Sequence, residues 1–423
     1  MQVYKEPAKE IPVYGEFDVV VVGGGCAGFP AAIAAARNGA KVLIIEKFPF
    51  FGGTATASLM ANLVGIRNQV EPDGLQVMKG IGEEFMLRLI EEGGAVHSRN
   101  AYPSAIRTDK KGDLSYNYAF DTEKFKYLSL KMVKESGTKI LFHTVFSDVI
   151  MDGDKVTGII IENKSGRQAV YGKIIIDASG DGDVAFKAGV PFWQTLHETD
   201  TVKRLNDCLM YKIKGFPANT KAPGCLFGDT MVVWGPSPGP MNCADADEFT
   251  ESEIMVRLAV YDDLEAKKKE YPEDLKGAWV IDTGTLIGVR QTRFFDGEYK
   301  ITGDDVIEGR SFDDSIAMAS NPIIHSFGYR RFLEHEGYEM PYRMLVPLKA
   351  ENLYVVGRCM SSDQLAYESW RAMANVISLG EAAGLSAAVC VKDGTTPRKA
   401  DVKQIQKLLV EQGAEIGQGR TKK

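Results

Sequence analysis

Phe17-Asp-Val-Val-Val-Val-Gly-Gly-Gly-Cys-Ala-Gly-Phe-Pro-Ala-Ala-Ile-Ala-Ala-Ala-Arg-Asn-Gly-Ala-Lys-Val-Leu-Ile-Ile-Glu-Lys47 decides the fold. It reads as a buried strand, a glycine turn, a small-residue helix, a second buried strand and an acid at that strand's end. Gly23, Gly25 and Gly28 hold the three glycine positions of G-x-G-x-x-G. The first permits the tight turn, the second lets a pyrophosphate approach the backbone, and the third lets the helix pack close to the sheet. The helix starting near Ala27 then offers free N–H groups and a positive dipole end to phosphate. Glu46 follows Gly23 by 23 residues, where a carboxylate accepts hydrogen bonds from ribose hydroxyls. The same acid would repel a 2′-phosphate, which argues against NADP at this site.

Composition sets outer bounds. A chain of 423 residues exceeds one ordinary core, so two domains are expected. It is 44% hydrophobic and 25% charged, with a net charge of −7, a balance that disfavours nucleic acid or an anionic membrane surface as partner. No run reads as a membrane span, and the N-terminus has no apolar signal core; a cytoplasmic location is the default expectation. The six cysteines (26, 208, 225, 243, 359 and 390) form no C-x-x-C pair, so neither an iron–sulfur cluster nor a redox dithiol of that type is expected, and no metal site is expected.

After Glu46, Gly52-Gly53-Thr54 makes a second glycine turn able to lean over a bound cofactor. Helical spacing runs over 76–92, and 95–118 reads as an irregular excursion. A helix from Asp121 to Lys134 precedes a third parallel strand at Lys139–His143. Turn sequences at Asp152-Gly153-Asp154 and Asn163–Gly166 make 144–171 an antiparallel meander. A further buried strand, Lys173–Ile176, leads into Asp177-Ala-Ser-Gly-Asp-Gly-Asp183. Between 191 and 340 turn residues increase around a charged helix near 251–269. The chain returns with a buried strand at 352–358 and a small-residue helix over Ala374–Val391. A tail helix with Val402, Ile405, Leu408 and Leu409 is expected outside the core.

The nucleotide motif, Gly-Gly-Thr, Ile-Asp-Ala-Ser-Gly-Asp-Gly-Asp and the closing Val-Val-Gly-Arg…Gly-Glu-Ala-Ala-Gly occur in one order. Together they resemble the FAD-dependent oxidoreductases of the glutathione-reductase-like, two-domain flavoprotein superfamily. Gly-Val-Arg-Gln-Thr-Arg at 288–293 and Met-Pro-Tyr-Arg-Met-Leu-Val-Pro at 340–347 strengthen the likeness, which covers most of the chain outside 95–118, 200–275 and the tail. The resemblance implies an α/β fold: a Rossmann-like FAD-binding domain with a central parallel sheet and antiparallel β-meander, plus an inserted α+β substrate domain. The expected divisions are 1–75, 120–190 and 341–395 for the discontinuous FAD-binding domain, 76–119 for the helical and irregular excursion, 191–340 for the substrate or cap domain, and 396–423 for the C-terminal helix and tail.

The resemblance also implies FAD as cofactor. Gly23, Gly25 and Gly28 would take the pyrophosphate and Glu46, with Lys47 beside it, the adenosine ribose. Gly52, Gly53 and Thr54 would approach the flavin side, and Val145 would meet adenine through its backbone. Ala178 and Gly180 would line the ADP portion, with Gly357 and Arg358 near the ribitol and pyrophosphate. Backbone N–H groups around Asn375 and Val376 would stabilise negative charge on the flavin. Two departures stand out: Arg358 occupies a position where many superfamily members have Asp, and Ala374-Asn375 replaces a common proline.

Five residues are candidates for chemistry. His325 is the first choice for general acid or base, against a structural histidine of equal weight. Tyr342 and Arg343 precede the return strand; Arg343 is a carboxylate clamp or a structural ion pair. Tyr367 and Glu368 occupy an expected active-site loop where the subgroup commonly has His-Gly. Arg290 and Arg293 read better as ordering the domain junction, Trp234 and Trp370 as packing residues, and Cys359 as an inert buried thiol. His97, His143, His197 and His335 have no functional context. The leading reading is hydride transfer between a small polar alcohol or amine and flavin N5. The alternatives are a fumarate-reductase-like reduction of an activated C=C bond, with Arg343 as proton donor, and a flavin-containing electron-transfer subunit. Expected partners are a small-molecule substrate and an unspecified electron acceptor, with a homo-oligomer left open.

Overall fold

Four valines, Val19–Val22, end the first strand and are at most 3% exposed in the computed structural model. That structure describes residues 3–70, 74–102, 104–108, 113–195, 204–325, 328 and 330–417. The chain begins β1 (Val13–Val22), α1 (Gly28–Arg37), β2 (Val42–Ile45), β3 (Asn62–Val64), α2 (Ile81–Glu91), β4 (Ala95–His97), β5 (Asn117–Phe120), α3 (Thr122–Glu135), β6 (Lys139–Leu141), β7 (Val145–Asp152), β8 (Lys155–Asn163) and β9 (Gly166–Asp177). A seven-stranded sheet takes the order β6-β2-β1-β9-β8-β7, with Leu353–Val355 also paired to β9. β1 is parallel to both β2 and β9, as β2 is to β6, whereas β7, β8 and β9 form the antiparallel meander. This is the Rossmann-like α/β arrangement with a meander that the sequence predicts. The outlying strand Lys173–Ile176 is no separate element. Meander and parallel sheet share β9, which is 12 residues long.

Small residues bring two helices into backbone contact. A Cβ on Gly380 would stand 2.2 Å from the Ala27 carbonyl oxygen, and one on Gly384 2.0 Å from that of Ala31. The helix Met373–Asp393 therefore lies directly on α1. Its 21 residues are long and apolar enough to cross a membrane, which corrects the reading that no run is. In this fold, 94% of its apolar window is buried inside the protein. Phe29 of α1, Phe85 of α2 and Phe125 of α3 form a ring cluster, Phe85 and Phe125 having centroids 4.6 Å apart. Each such buried ring contributes about 2–3 kcal/mol through removal from water, which fastens α2 and α3 to α1.

Three further local expectations change. Gly80 adopts φ +63, so α2 starts at Ile81 rather than 76. The stretch 95–118 is not wholly irregular: β4 and the start of β5 pair there, and β3-β5-β4 make a small sheet. Strands of three or four residues are too short to display a period. The tail helix Val402–Glu411 is not outside the core, because Ile405 and Leu409 are fully buried in it. A second, four-stranded antiparallel sheet (Cys225–Phe227, Thr230–Trp234, Met210–Lys214, Trp279–Thr283) packs its apolar face against helix Ala246–Glu270 through Val256, Val260 and Leu264.

One buried acid makes stability pH-dependent. Glu381, 2% exposed, accepts the Ile81 backbone N–H at 2.9 Å, at the start of α2. Burial pushes its carboxyl from 4.5 up to about 8. Between those values the unfolded chain releases a proton that the folded chain keeps, so stability falls as pH rises through this window. Glu381→Gln should flatten that part of the melting-temperature curve, by on the order of 2 °C or more across it. An unchanged slope would reject the assignment.

Candidate active site

β1 ends at Val22, and the next residue, Gly23, donates its N–H to the Ile45 carbonyl at 2.9 Å and turns the chain with φ +96. A side chain at Gly23 would strike the Ala178 carbonyl oxygen at 2.5 Å. A Cβ on Gly28 would lie 1.8 Å from the Gly23 oxygen, so the start of α1 sits directly on the turn. The second glycine turn folds onto the first: Gly25 bridges Gly52, and the Gly52 N–H bonds the Gly24 oxygen at 2.9 Å. α1 begins without any side-chain cap, as does Met373–Asp393. Both uncapped starts face one cavity of about 430 Å³, α1 through Cys26 and Ala27, the closing helix through Ala372, Met373 and Val376. Two positive dipole ends thus converge on a single space.

Of the expected cofactor residues, Gly23, Gly25, Glu46, Lys47, Gly53, Thr54, Ala178, Gly180, Gly357, Arg358 and Val376 line this cavity. Gly28 and Gly52 support it from behind. Asn375 does not line it; its side chain donates to the Trp370 carbonyl at 3.1 Å. Val145 also stands outside the lining, at the exposed start of β7. Glu46 is held by two backbone donors, Gly24 N–H at 2.6 Å and Phe48 N–H at 3.0 Å. Burial nevertheless raises its pKa above the ordinary carboxylate value.

The element after β9 supplies an acid that the sequence reading quoted but did not single out. Asp181 lines the cavity and accepts from Arg358 at 2.6 Å and from the Thr292 hydroxyl at 2.7 Å. Burial disfavours its charge, but the Arg358 guanidinium and the Thr292 hydroxyl outweigh that and hold the carboxyl below its ordinary value. Arg358 also donates to the Val289 carbonyl at 2.7 Å, tying the Gly357 turn to the 288–293 segment. Arg358→Ala is expected to cost about 2 kcal/mol, the range of a lost charged hydrogen bond, and to weaken flavin retention. Thermal melting and flavin content of the purified variant test both.

The catalytic candidates separate. Tyr367 and Glu368 line the cavity. The Tyr367 hydroxyl donates to the Arg290 carbonyl, so this phenol joins two loops. Glu368 is 2% exposed, and its Oε1 accepts from Gln364, itself bonded to Gln291. His325 does not line the cavity; its Nε2 stands 4.0 Å from Glu368 Oε2. Tyr342 and Arg343 are corrections. The Tyr342 hydroxyl is buried against Tyr354 and the Pro397 carbonyl, 2.6 Å from each. Arg343 pairs with Asp314 at 2.9 Å and lies over the Tyr299 ring, away from the lining. It is a structural ion pair, not a clamp. Arg293 likewise pairs with Asp183, whereas Arg290 lines the cavity. Trp234 lines it too, and Trp370 packs on Tyr367. His97 packs on Tyr118, His335 bonds the Val306 carbonyl, and His197 lies outside the described residues. Asn62, Asn321, Arg330 and Arg371 also line the cavity and escaped the sequence reading. Asn62 is 1% exposed and neither polar atom of its side chain has a hydrogen-bond partner.

The model of the family described as FAD dependent oxidoreductase matches residues 18–226 and 198–409. The chain belongs to this family. It is an enzyme whose cofactor is FAD, and its geometry fits that group. Gly25 leaves room where a Cβ would fill the cradle, the two uncapped helix starts suit phosphate and flavin carbonyl charge, and Glu46 stands fixed at the end of β2. This FAD-dependent oxidoreductase is similar over part of its length to digeranylgeranylglycerophospholipid reductase of Methanocaldococcus jannaschii, 30% identical over 176 residues, 41% of each chain. It is also similar to NADH:fumarate oxidoreductase of Klebsiella pneumoniae, 29% identical over 194 residues, 39% of this chain and 20% of that one. The chain spans about half the length of the curated relatives it matches, from 41% to 63% for the reductases named for digeranylgeranylglycerophospholipid. Among solved structures, p-nitrophenol 4-monooxygenase from Pseudomonas putida superposes with a TM-score of 0.52 at 12% identity, covering 94% of this chain and 86% of that one. A geranylgeranyl bacteriochlorophyll reductase-like protein from Thermoplasma acidophilum gives 0.50 at 17% identity, covering 95% and 84%. These structural likenesses bear on the fold alone.

Proposed function

We propose that this enzyme exchanges hydride between flavin N5 and a small polar organic substrate of alcohol or amine type. The observation that carries the reading is the continuity of one cavity from the glycine cradle to Glu368 and Asn62. FAD, when bound, supplies the two-electron chemistry. The protein's part is orientation and proton handling. Glu368 takes or returns the proton of the substrate OH or NH at its carboxylate, with Gln364 fixing one oxygen and His325 near the other. The segment 191–340 serves as the substrate-facing part, contributing Met210, Trp234 and 286–290 to the walls. Anaerobic mixing of the oxidised holoenzyme with panels of alcohols and amines should bleach the flavin band. If no member does, the reading fails.

A second reading, reduction of an activated C=C bond, has one observation in its favour. Burial, and then the charge of neighbouring Arg290, lower the pKa of Arg371, which lines the cavity. A less basic guanidinium is a better proton donor. The names of two relatives, digeranylgeranylglycerophospholipid reductase and NADH:fumarate oxidoreductase, are in keeping with a reductive direction. Reoxidation of the dithionite-reduced enzyme by unsaturated acids, with no bleaching by alcohols or amines, would select this reading. Arg343 has no part in it.

A further inference from the structure

We propose that the substrate carries a carboxylate, and that Arg290 and Arg371 grip it at the end of the cavity away from the glycine cradle. The inference rests on the hydride reading above and narrows its substrate class. Charge is the first argument. Arg290, Arg330 and Arg371 line the cavity together with three carboxylates, of which Asp181 is paired with Arg358 and Glu46 is held by two backbone N–H groups, leaving Glu368. Cations elsewhere are matched: Arg293 has Asp183, Arg343 has Asp314 and Arg358 has Asp181. Among the described residues none of the three lining arginines has an ion pair.

Desolvation is the second argument. The Arg371 Nε is buried with no hydrogen-bond partner, and its guanidinium lies 5.9 Å from the Tyr367 ring centre. Arg290 repels it. Holding two like charges in a half-buried site is unfavourable, and an anion between them would reverse that term. The guanidinium fork matches a planar carboxylate bidentately. Glu368 at the same end favours a monoanion over a phosphate dianion. Arg330, exposed and stacked on Tyr102 at 4.8 Å, stands where it would draw an anion in.

The remaining walls define the rest of the ligand. Met60, Met210, Trp234 and Ile324 are apolar, and the unpartnered Asn62 amide supplies a donor and an acceptor for one polar substituent. The class is therefore an amphipathic organic monocarboxylic acid with an apolar body and a second polar group.

The test is calorimetric titration of the FAD-loaded full chain with hexanoate, phenylacetate and mandelate, each against its amide, and with phenyl phosphate. At least one acid should bind at millimolar concentration or better, about tenfold tighter than its amide. Arg290→Gln and Arg371→Gln should each weaken that binding about tenfold or more, and Arg371→Lys less than Arg371→Gln. Flavin content and melting temperature verify that each variant is folded; Arg371→Lys serves if Arg371→Gln is not. Equal affinity for acid and amide, tighter binding of phenyl phosphate, no binding by any acid, or unchanged affinity in both arginine variants overturns the proposal. The two levels fail separately. An acid that binds without exchanging electrons with the flavin sinks the hydride reading and leaves the anion site. Turnover of neutral alcohols or amines with no affinity for acids does the reverse.

Discussion

Gly25→Ala protein is expected to fold normally and to leave purification colourless. In the folded chain the added methyl would meet only the Gly53 Cα, at 3.8 Å, an ordinary contact. It would, however, occupy the wall of the cavity at the turn between β1 and α1. A pyrophosphate must come against the backbone there, so flavin affinity should fall about 100-fold or more, while the far-ultraviolet spectrum and cooperative melting persist. Gly28→Ala provides the contrast. Its methyl would stand 1.8 Å from the Gly23 oxygen and 3.2 Å from the Ala178 Cβ, both fixed by the sheet. The start of α1 must move, with an overpacking cost of about 1–3 kcal/mol or more. That variant should lose both colour and stability. A yellow Gly25→Ala protein with parental flavin content would refute the cradle.

Glu368→Gln is expected to keep its flavin and to lose turnover by about 10²–10⁴-fold, the range for a general base. The substitution preserves volume in a residue that is 2% exposed, and the amide oxygen can still accept from Gln364. The chemical step should therefore fail without collapse of the site. The measurement is the single-turnover rate of flavin bleaching under saturating substrate. Glu368→Asp keeps the charge but draws it back, so it should retain more of the rate than Glu368→Gln. A Glu368→Gln rate within a few-fold of the parent would remove the carboxylate from the mechanism.

The cofactor end was legible because its determinants are local. Val19–Val22, the three glycines and Glu46 act within one strand–helix–strand unit, and their spacing is the signal. The Gly-Gly-Thr turn follows at once, so its place over the first loop could be read from order alone. The substrate end is different. Tyr342 looked chemical from its neighbours, but Tyr354 and Pro397 claim its hydroxyl. Arg343 is taken by Asp314. Neither partner lies within the local motif. Conversely, Arg371 follows Glu368 by three residues and so lies near it on one helical run, a spacing that could have drawn notice to the pair. Asn62 sits on a three-residue strand with no pattern to mark it. Only the meeting of strands and loops from distant parts of the chain makes these residues neighbours.

The closing helix has its first turn at the cavity and its last at Gly394. Its 21 residues make a rod about 30 Å long. Two glycines seat it on α1, Glu381 anchors the beginning of α2, and Cys390 near its far end receives a contact from Tyr354. Loading of the flavin should therefore be felt at a distance. Amide protons over 385–393, beyond the Ala372–Val376 stretch that meets the cavity, should exchange with solvent more slowly in the yellow protein than in the stripped one, because the packing of the helix on α1 continues from one end toward the other.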